Sequence, residues 1–128
     1  EHDKGLEDAT VLLAENLRKQ AKHNLIIGVS TWGADRELDF IERRGAVFDI
    51  IFGSGAGPGY TGLFLRDSGT LLVRAFTKGR YVHSVTIPKL PLPGGKNVWE
   101  PQVTVLTAAV PLGGDVATDP HVEAIFKP

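Results

Sequence analysis

The sequence predicts an α/β fold with a mixed sheet and two or three helices. Three observations carry this expectation. Helical periodicity alternates with short apolar runs through the first half, which favours a parallel strand pair. A hairpin signal, Arg66-Asp-Ser-Gly69, divides two apolar segments in the second half. An alternating segment, Tyr81 to Ile87, follows soon after.

In chain order, Leu6, Ala9, Leu13, Leu17 and Ala21 recur at helical spacing. Glu7 and Asp8 lie early and Lys19 and Lys22 late, as the helix dipole favours. His23-Asn24 supplies a stop. Leu25 to Val29 is a short apolar run, read as a buried strand. Ala34 to Arg44 reads as a charged helix with Leu38 and Ile41 turned inward and Gly45 past its end. Val47 to Phe52 is a second buried strand.

Gly62–Leu65 and Thr70–Phe76 then form the arms of the hairpin. Tyr81 to Ile87 makes a further strand after a turn at Lys78-Gly79. Pro88, Pro91, Pro93, Gly94 and Gly95 make a stiff, exposed connector. Val98 to Val110 is expected as one more strand. Asp119-Pro120 caps a short last helix, with proline in its first position. There is no internal repeat, and 128 residues suit one domain or part of one.

Composition removes several chemistries. Lys plus Arg is 14 and Asp plus Glu is 15, a net charge of −1, with no basic stripe to follow a nucleic-acid backbone. No apolar run is long enough to span a membrane. The chain has no cysteine, which removes disulfides, thiol nucleophiles and cysteine metal sites.

The stretch Asp49-Ile-Ile-Phe-Gly-Ser-Gly-Ala-Gly-Pro-Gly59 ends an apolar strand in a loop with four glycines. A dinucleotide fingerprint needs a glycine six positions from the first and a helix after it. From Gly53 that position is Pro58 and from Gly55 it is Tyr60, and a hairpin follows. No Gly-Lys-Ser/Thr is present, so a P-loop is excluded. The plain reading is a tight, exposed turn between strands. The remaining alternative is an anion-binding loop in which Gly53, Ser54, Gly55 and Gly57 offer backbone N–H groups.

His2, His23, His83 and His121 share no metal-ligand spacing, and each is expected on the surface or in ordinary packing. Ser30, Ser54 and Ser68 have no nearby His–Asp pattern, and Gly-x-Ser-x-Gly is absent. No catalytic residue and no cofactor is expected from these residues.

The order of elements, with "VSTWGADRELDFIERRGAVFDIIFGSGAG", "LLVRAFTKGRYVHSVTI" and "ATDPHVEAIF", resembles the C-terminal half of a calcineurin-like metallophosphoesterase domain of the 5′-nucleotidase type. In that family a buried strand ends in Ser-His-x-Gly. A helix follows, then Asp-x-Ile-x-Gly-Gly-His-Ser-His, a hairpin, and a Val-x-Ala-x-x-x-Gly-x-Tyr-Val strand. Residues 6 to 126 can be laid on this pattern. The resemblance implies part of a layered α/β/β/α sandwich.

The departures decide what the resemblance implies for chemistry. The family's ligand histidines on this half fall on Thr31, Gly55 and Gly57. A two-metal site clamps attacking and leaving oxygens and acidifies a water, and it needs imidazole and carboxylate ligands. Thr31, Gly55 and Gly57 are therefore degenerate ligand positions, and no metal is expected. Trp32, beside the first of them, is expected to plug the space. The family's other ligands belong to an N-terminal half, which these residues do not contain.

The resemblance thus implies a non-catalytic accessory or scaffolding subunit. The alternative is a C-terminal fragment of a metal-dependent 5′-nucleotidase-like phosphohydrolase. The Leu25–Val29 strand would lack the neighbour that the first half supplies, and an unpaired apolar edge recruits another chain. A partner chain is expected there, either the missing N-terminal half or a larger complex. Relatives of this type are commonly exported, and a chain opening on Glu1 fits a trimmed leader, so a periplasmic or extracellular location is expected.

Overall fold

The computed structural model describes residues 4–65, 68–76, 79–114 and 116–126. His2, the turn residues Arg66 and Asp67, and Lys78 lie outside them. The chain is α/β. Its elements are α1 (Lys4–Lys19), β1 (Ile27–Ser30), α2 (Ala34–Arg44), β2 (Ile50–Gly53), β3 (Tyr60–Leu65), β4 (Thr70–Arg74), β5 (Tyr81–Thr86), β6 (Leu106–Pro111) and α3 (Pro120–Ile125). Four strands form a mixed sheet in the order β1-β2-β4-β3, and β5 and β6 form a separate antiparallel pair.

β1 pairs parallel with β2, Ile27 opposite Ile50 and Val29 opposite Phe52. β2 pairs parallel with β4, and β3 returns antiparallel on β4 as the hairpin signal predicts. Apolar side chains fill both faces of β2 and β4, which is why these strands read as continuous apolar runs. One face packs Ile51 and Leu72 against Phe40 and Ile41 of α2 and Ala14 of α1. The other packs Ile50, Leu71 and Val73 against Val105, with Val85 and Trp99 at its margin. The Trp99 indole N–H donates to the Asp49 carbonyl at 2.8 Å, so its polar end is satisfied as its ring covers the sheet.

α2 forms over the residues its periodicity predicts. Gly45 ends it with a φ of 69°, and its N–H donates to the Ile41 carbonyl. α3 is capped as expected, the Asp119 carboxylate accepting from the His121 N–H at 2.8 Å.

Other expectations need correction. β1 is not buried: it is an outer strand of the sheet, with Ile27 49% and Val29 84% exposed. The strand expected from Val98 to Val110 begins only at Leu106. Before it, Glu100–Val105 forms a turn in which Val103 and Thr104 both donate to the Glu100 carbonyl. Pro101 cannot donate to a ladder, and Gln102 takes a φ of 63°.

α1 turns only part of its predicted apolar stripe to the core, where Leu17 packs beside Val11 and Ala14. Leu6 and Leu13 are 53% and 61% exposed, whereas Glu7 and Ala14 are buried. Polar contacts fix this orientation. The Glu7 carboxylate pairs with Arg43 of α2 at 3.1 Å. Arg18 reaches the Asp49 carboxylate at 3.2 Å and the carbonyls of Val47 and Gly95. The Asp49 carboxylate also accepts from the Ile26 N–H at 2.8 Å, tying the entry of β1 to the start of β2.

Candidate functional site

The glycine loop between β2 and β3 lies against the end of β1 and the start of α2. Ser54 donates its N–H to the Ser30 carbonyl, and Gly33 donates to the Ser54 carbonyl at 3.1 Å. Ala34, the first residue of α2, donates to the Ala56 carbonyl at 2.8 Å. Loop carbonyls therefore meet the positive end of the α2 dipole, a role usually taken by a capping side chain. Gly33, the cap residue, has no side chain to do it.

Arg74, at the end of β4, holds the loop from below. It is 1% exposed. Its Nε donates to the Pro58 carbonyl at 2.9 Å, and its Nη2 donates to the carbonyls of Gly55 and Ala56 at 3.2 and 2.9 Å. Its Nη1 donates to Oε2 of Glu37 on α2, itself 1% exposed. One guanidinium thus joins β4, the loop and α2. The planar fork of arginine makes this possible, since a single ammonium has no such spread of donors.

The glycines are required by crowding. A Cβ on Gly53 would stand 2.7 Å from Cδ of Glu37, so the carboxylate occupies the room a side chain would need. A Cβ on Gly55 would stand 2.7 Å from the Thr31 carbonyl oxygen, and one on Gly57 2.5 Å from Cβ of Ala34. Gly55 and Gly57 also take φ values of 84° and 106°, which L side chains rarely adopt.

The structure brings the sequence-predicted positions Thr31, Gly53, Ser54, Gly55 and Gly57 together at one end of the sheet. The Thr31 side chain is exposed, and its backbone packs on Gly55. Trp32 is half-buried. Its ring meets Phe40 edge-on at 5.4 Å between centroids, and the Arg36 guanidinium lies 5.7 Å from the ring centroid. Trp32 thus fills space beside α2, and the backbone of Thr31 and the methyl of Ala34 close the space beside the glycines. Among the described residues, no group of three or more His, Cys, Asp or Glu could hold a metal ion. His83 packs beside Phe76, their rings 4.9 Å apart.

Compared with protein-family models, with curated proteins and with solved structures, the chain finds no match. The site is therefore read from its own geometry.

Sequence reasoning missed Glu37 and Arg74. Ala34 to Arg44 reads in sequence only as a charged helix, and Arg74 only as part of the Thr70–Phe76 hairpin arm. The signal was that polar residue itself: a strand buried on both faces rarely carries an arginine without a buried carboxylate to meet it.

A second feature lies beside the loop, where β1 has no neighbouring strand on its outer side among the described residues. A cavity of about 400 Å³ opens there between α1 and the sheet. Leu6 and Thr10 of α1, the whole of β1, Trp32, Phe40 and Phe48 line it, and Glu37 reaches its wall. No helix among the described residues is long and apolar enough to cross a membrane.

Proposed function

We propose that this chain is a non-catalytic, phosphoesterase-like accessory or scaffolding subunit that binds a partner chain along the free edge of β1. One observation carries the proposal: among the described residues β1 ends the sheet with no strand beyond it, and Val29 is 84% exposed. An unpaired edge offers a row of backbone donors and acceptors that another chain can complete. The outward stripe of α1, Leu6 and Leu13, supports the same reading, because Leu6 shares a cavity wall with β1. An apolar helix stripe left in water beside an open strand is the surface a partner would bury.

The helix, sheet and strand-pair layers are consistent with one part of an α/β/β/α sandwich of the metallophosphoesterase kind. On that reading the degenerate positions Thr31, Gly55 and Gly57 leave no ligand on this half, and the loop serves as packing. The partner is then the N-terminal half of such a domain or a larger complex, and the location is periplasmic or extracellular. The open edge equally suits a C-terminal fragment of a 5′-nucleotidase-like phosphohydrolase completed by its first half. Turnover of a nucleotide or phosphodiester with bound manganese or zinc, measured on the full reading frame, would select that alternative.

Sedimentation of the purified chain tests the edge. Without a partner it should self-associate at micromolar concentration, and Val29→Lys should lower that association without unfolding the chain. A well-folded wild-type monomer at micromolar concentration would remove the proposal.

A further inference from the structure

α3 is exposed along its whole length, with no residue buried. Val122, Ile125 and Phe126 recur at i, i+3 and i+4 and make one apolar stripe, and Phe126 is 80% exposed. The Asp119 cap and Pro120 favour the helix. Six residues are nonetheless too few to hold it in water, since isolated helices below roughly 12–15 residues are marginal. A surface that covers the stripe would supply the missing stability.

The chain carries an apolar cleft of about 380 Å³ with no helix or strand of its own over it. Leu90, Leu92, Val98, Trp99 and Val103 wall it, and the four aliphatic side chains among them are exposed. Among the described residues, Lys89 is the one charged side chain that lines it. From Asp119 to Phe126 the charged side chains are Asp119 and Glu123. An acidic helix with an apolar stripe thus complements an apolar cleft with a basic wall.

Position decides whose cleft it is. β5 and β6 pair from Tyr81 and Pro111 at one end to Thr86 and Leu106 at the other. Lys89 and Leu90 follow β5 and Val103 precedes β6, so the cleft lies at the Thr86–Leu106 end. α3 is tethered at the opposite end, by residues 112–119. To reach its own cleft it would have to double back along the ribbon, about 20 Å, on a linker whose fullest reach is about 27 Å. In two copies with antiparallel ribbons, each α3 starts where the other copy's cleft opens. Such an exchange is isologous and closes at two subunits. The ribbon allows it. Val82, Ser84 and Thr86 lie opposite Val110, Ala108 and Leu106 on its exposed face, and none of the six is charged.

We propose that two copies of this chain form a twofold dimer in which each α3 docks Val122, Ile125 and Phe126 in the cleft of the other, with its carboxylates towards Lys89. This interface does not use the β1 edge.

Sedimentation equilibrium tests it, with Val29→Lys present throughout so that association at β1 is suppressed. That chain should remain a concentration-dependent dimer. Phe126→Asp and Leu92→Asp, both at exposed positions, should each weaken the dimer at least tenfold. An equimolar mixture of the two should regain part of it, because one intact stripe then meets one intact cleft. Lys89→Glu should also weaken it, and adding Glu123→Lys should recover the loss. A monomeric Val29→Lys chain, undiminished association in Phe126→Asp, or a mixture no more associated than its components would each overturn the assignment. Failure of the β1 reading shows separately, as equal association with and without Val29→Lys.

Discussion

Gly57 packs so closely on Ala34 that a Cβ at position 57 would stand 2.5 Å from the Ala34 methyl carbon. The contact seats the glycine loop on the first turn of α2, and two effects act there together. The backbone φ of 106° disfavours any L side chain, and the added carbon has no room. Gly57→Ala should therefore destabilise the chain by about 3 kcal/mol, combining backbone strain with overpacking. Gly79 shares the positive φ, at 59°, but a Cβ there meets nothing within 4 Å. Gly79→Ala should lower stability by only about 1 kcal/mol. Urea midpoints of the two variants measure the difference, and equal losses would mean that crowding at Ala34 does not matter.

The pair formed by Arg74 and Glu37 should behave as a buried ion pair with a structural task. Arg74→Met strands a buried carboxylate and releases the carbonyls of Gly55, Ala56 and Pro58. A loss of about 3–5 kcal/mol is expected, with faster proteolysis between residues 54 and 58. The double variant Glu37→Leu, Arg74→Met should recover part of the stability, because neither charge is left alone. Recovery without renewed protection of the loop is the expected pattern, since the carbonyl contacts stay lost. A double variant as unstable as Arg74→Met would contradict this.

Placing imidazoles at positions 31, 55 and 57 should not create a metal site. Thr31→His alters an exposed side chain and should change stability by less than about 0.5 kcal/mol. Gly55→His and Gly57→His each place a Cβ against backbone or against Ala34, so they should unfold the loop before they bind anything. Calorimetric titration of the triple variant with manganese or zinc should give no stoichiometric binding. Tight uptake of a pair of ions would show that the backbone can make room for such a site.

Asp49 should prove more important than its place in an apolar strand suggests. It is 2% exposed and accepts from both the Ile26 N–H and Arg18. Asp49→Ala should lower stability by about 2–4 kcal/mol, since a buried donor and a guanidinium both lose their acceptor. Amide exchange should quicken in α1 more than in α2, because Arg18 is the link to α1. Glu7→Gln should have a milder effect, since it keeps an amide oxygen that can accept from Arg43, whose side chain is 40% exposed.

Much of the fold was legible in the sequence because local chemistry fixes local structure. The periodicity and terminal glycine of Ala34–Gly45 gave α2 its bounds. The apolar run of Val47 to Phe52 gave a buried strand, which forms over Ile50–Gly53, and Asp119-Pro120 gave the last helix its cap. One failure has a local cause. Val98 to Val110 has strand composition throughout, yet Pro101 and a turn at Glu100 break it, since a missing donor outweighs propensity.

α1 shows the other limit. Its leucines predict a helix correctly, but not which side of it faces the core, because Glu7 and Arg18 reach Arg43 and Asp49 only in the folded chain.

The sequence by itself determined the element order, the parallel start of the sheet, the hairpin, and the lack of imidazole at positions 31, 55 and 57. Only the tertiary structure decided how far β1 is exposed, that Arg74 meets Glu37 beneath the loop, and that the glycines are there for lack of room. The physical reason is distance along the chain. Periodicity and turn chemistry act over a few residues, whereas the ion pair joins positions 37 apart and the crowding at Gly57 joins a loop to a helix more than twenty residues before it.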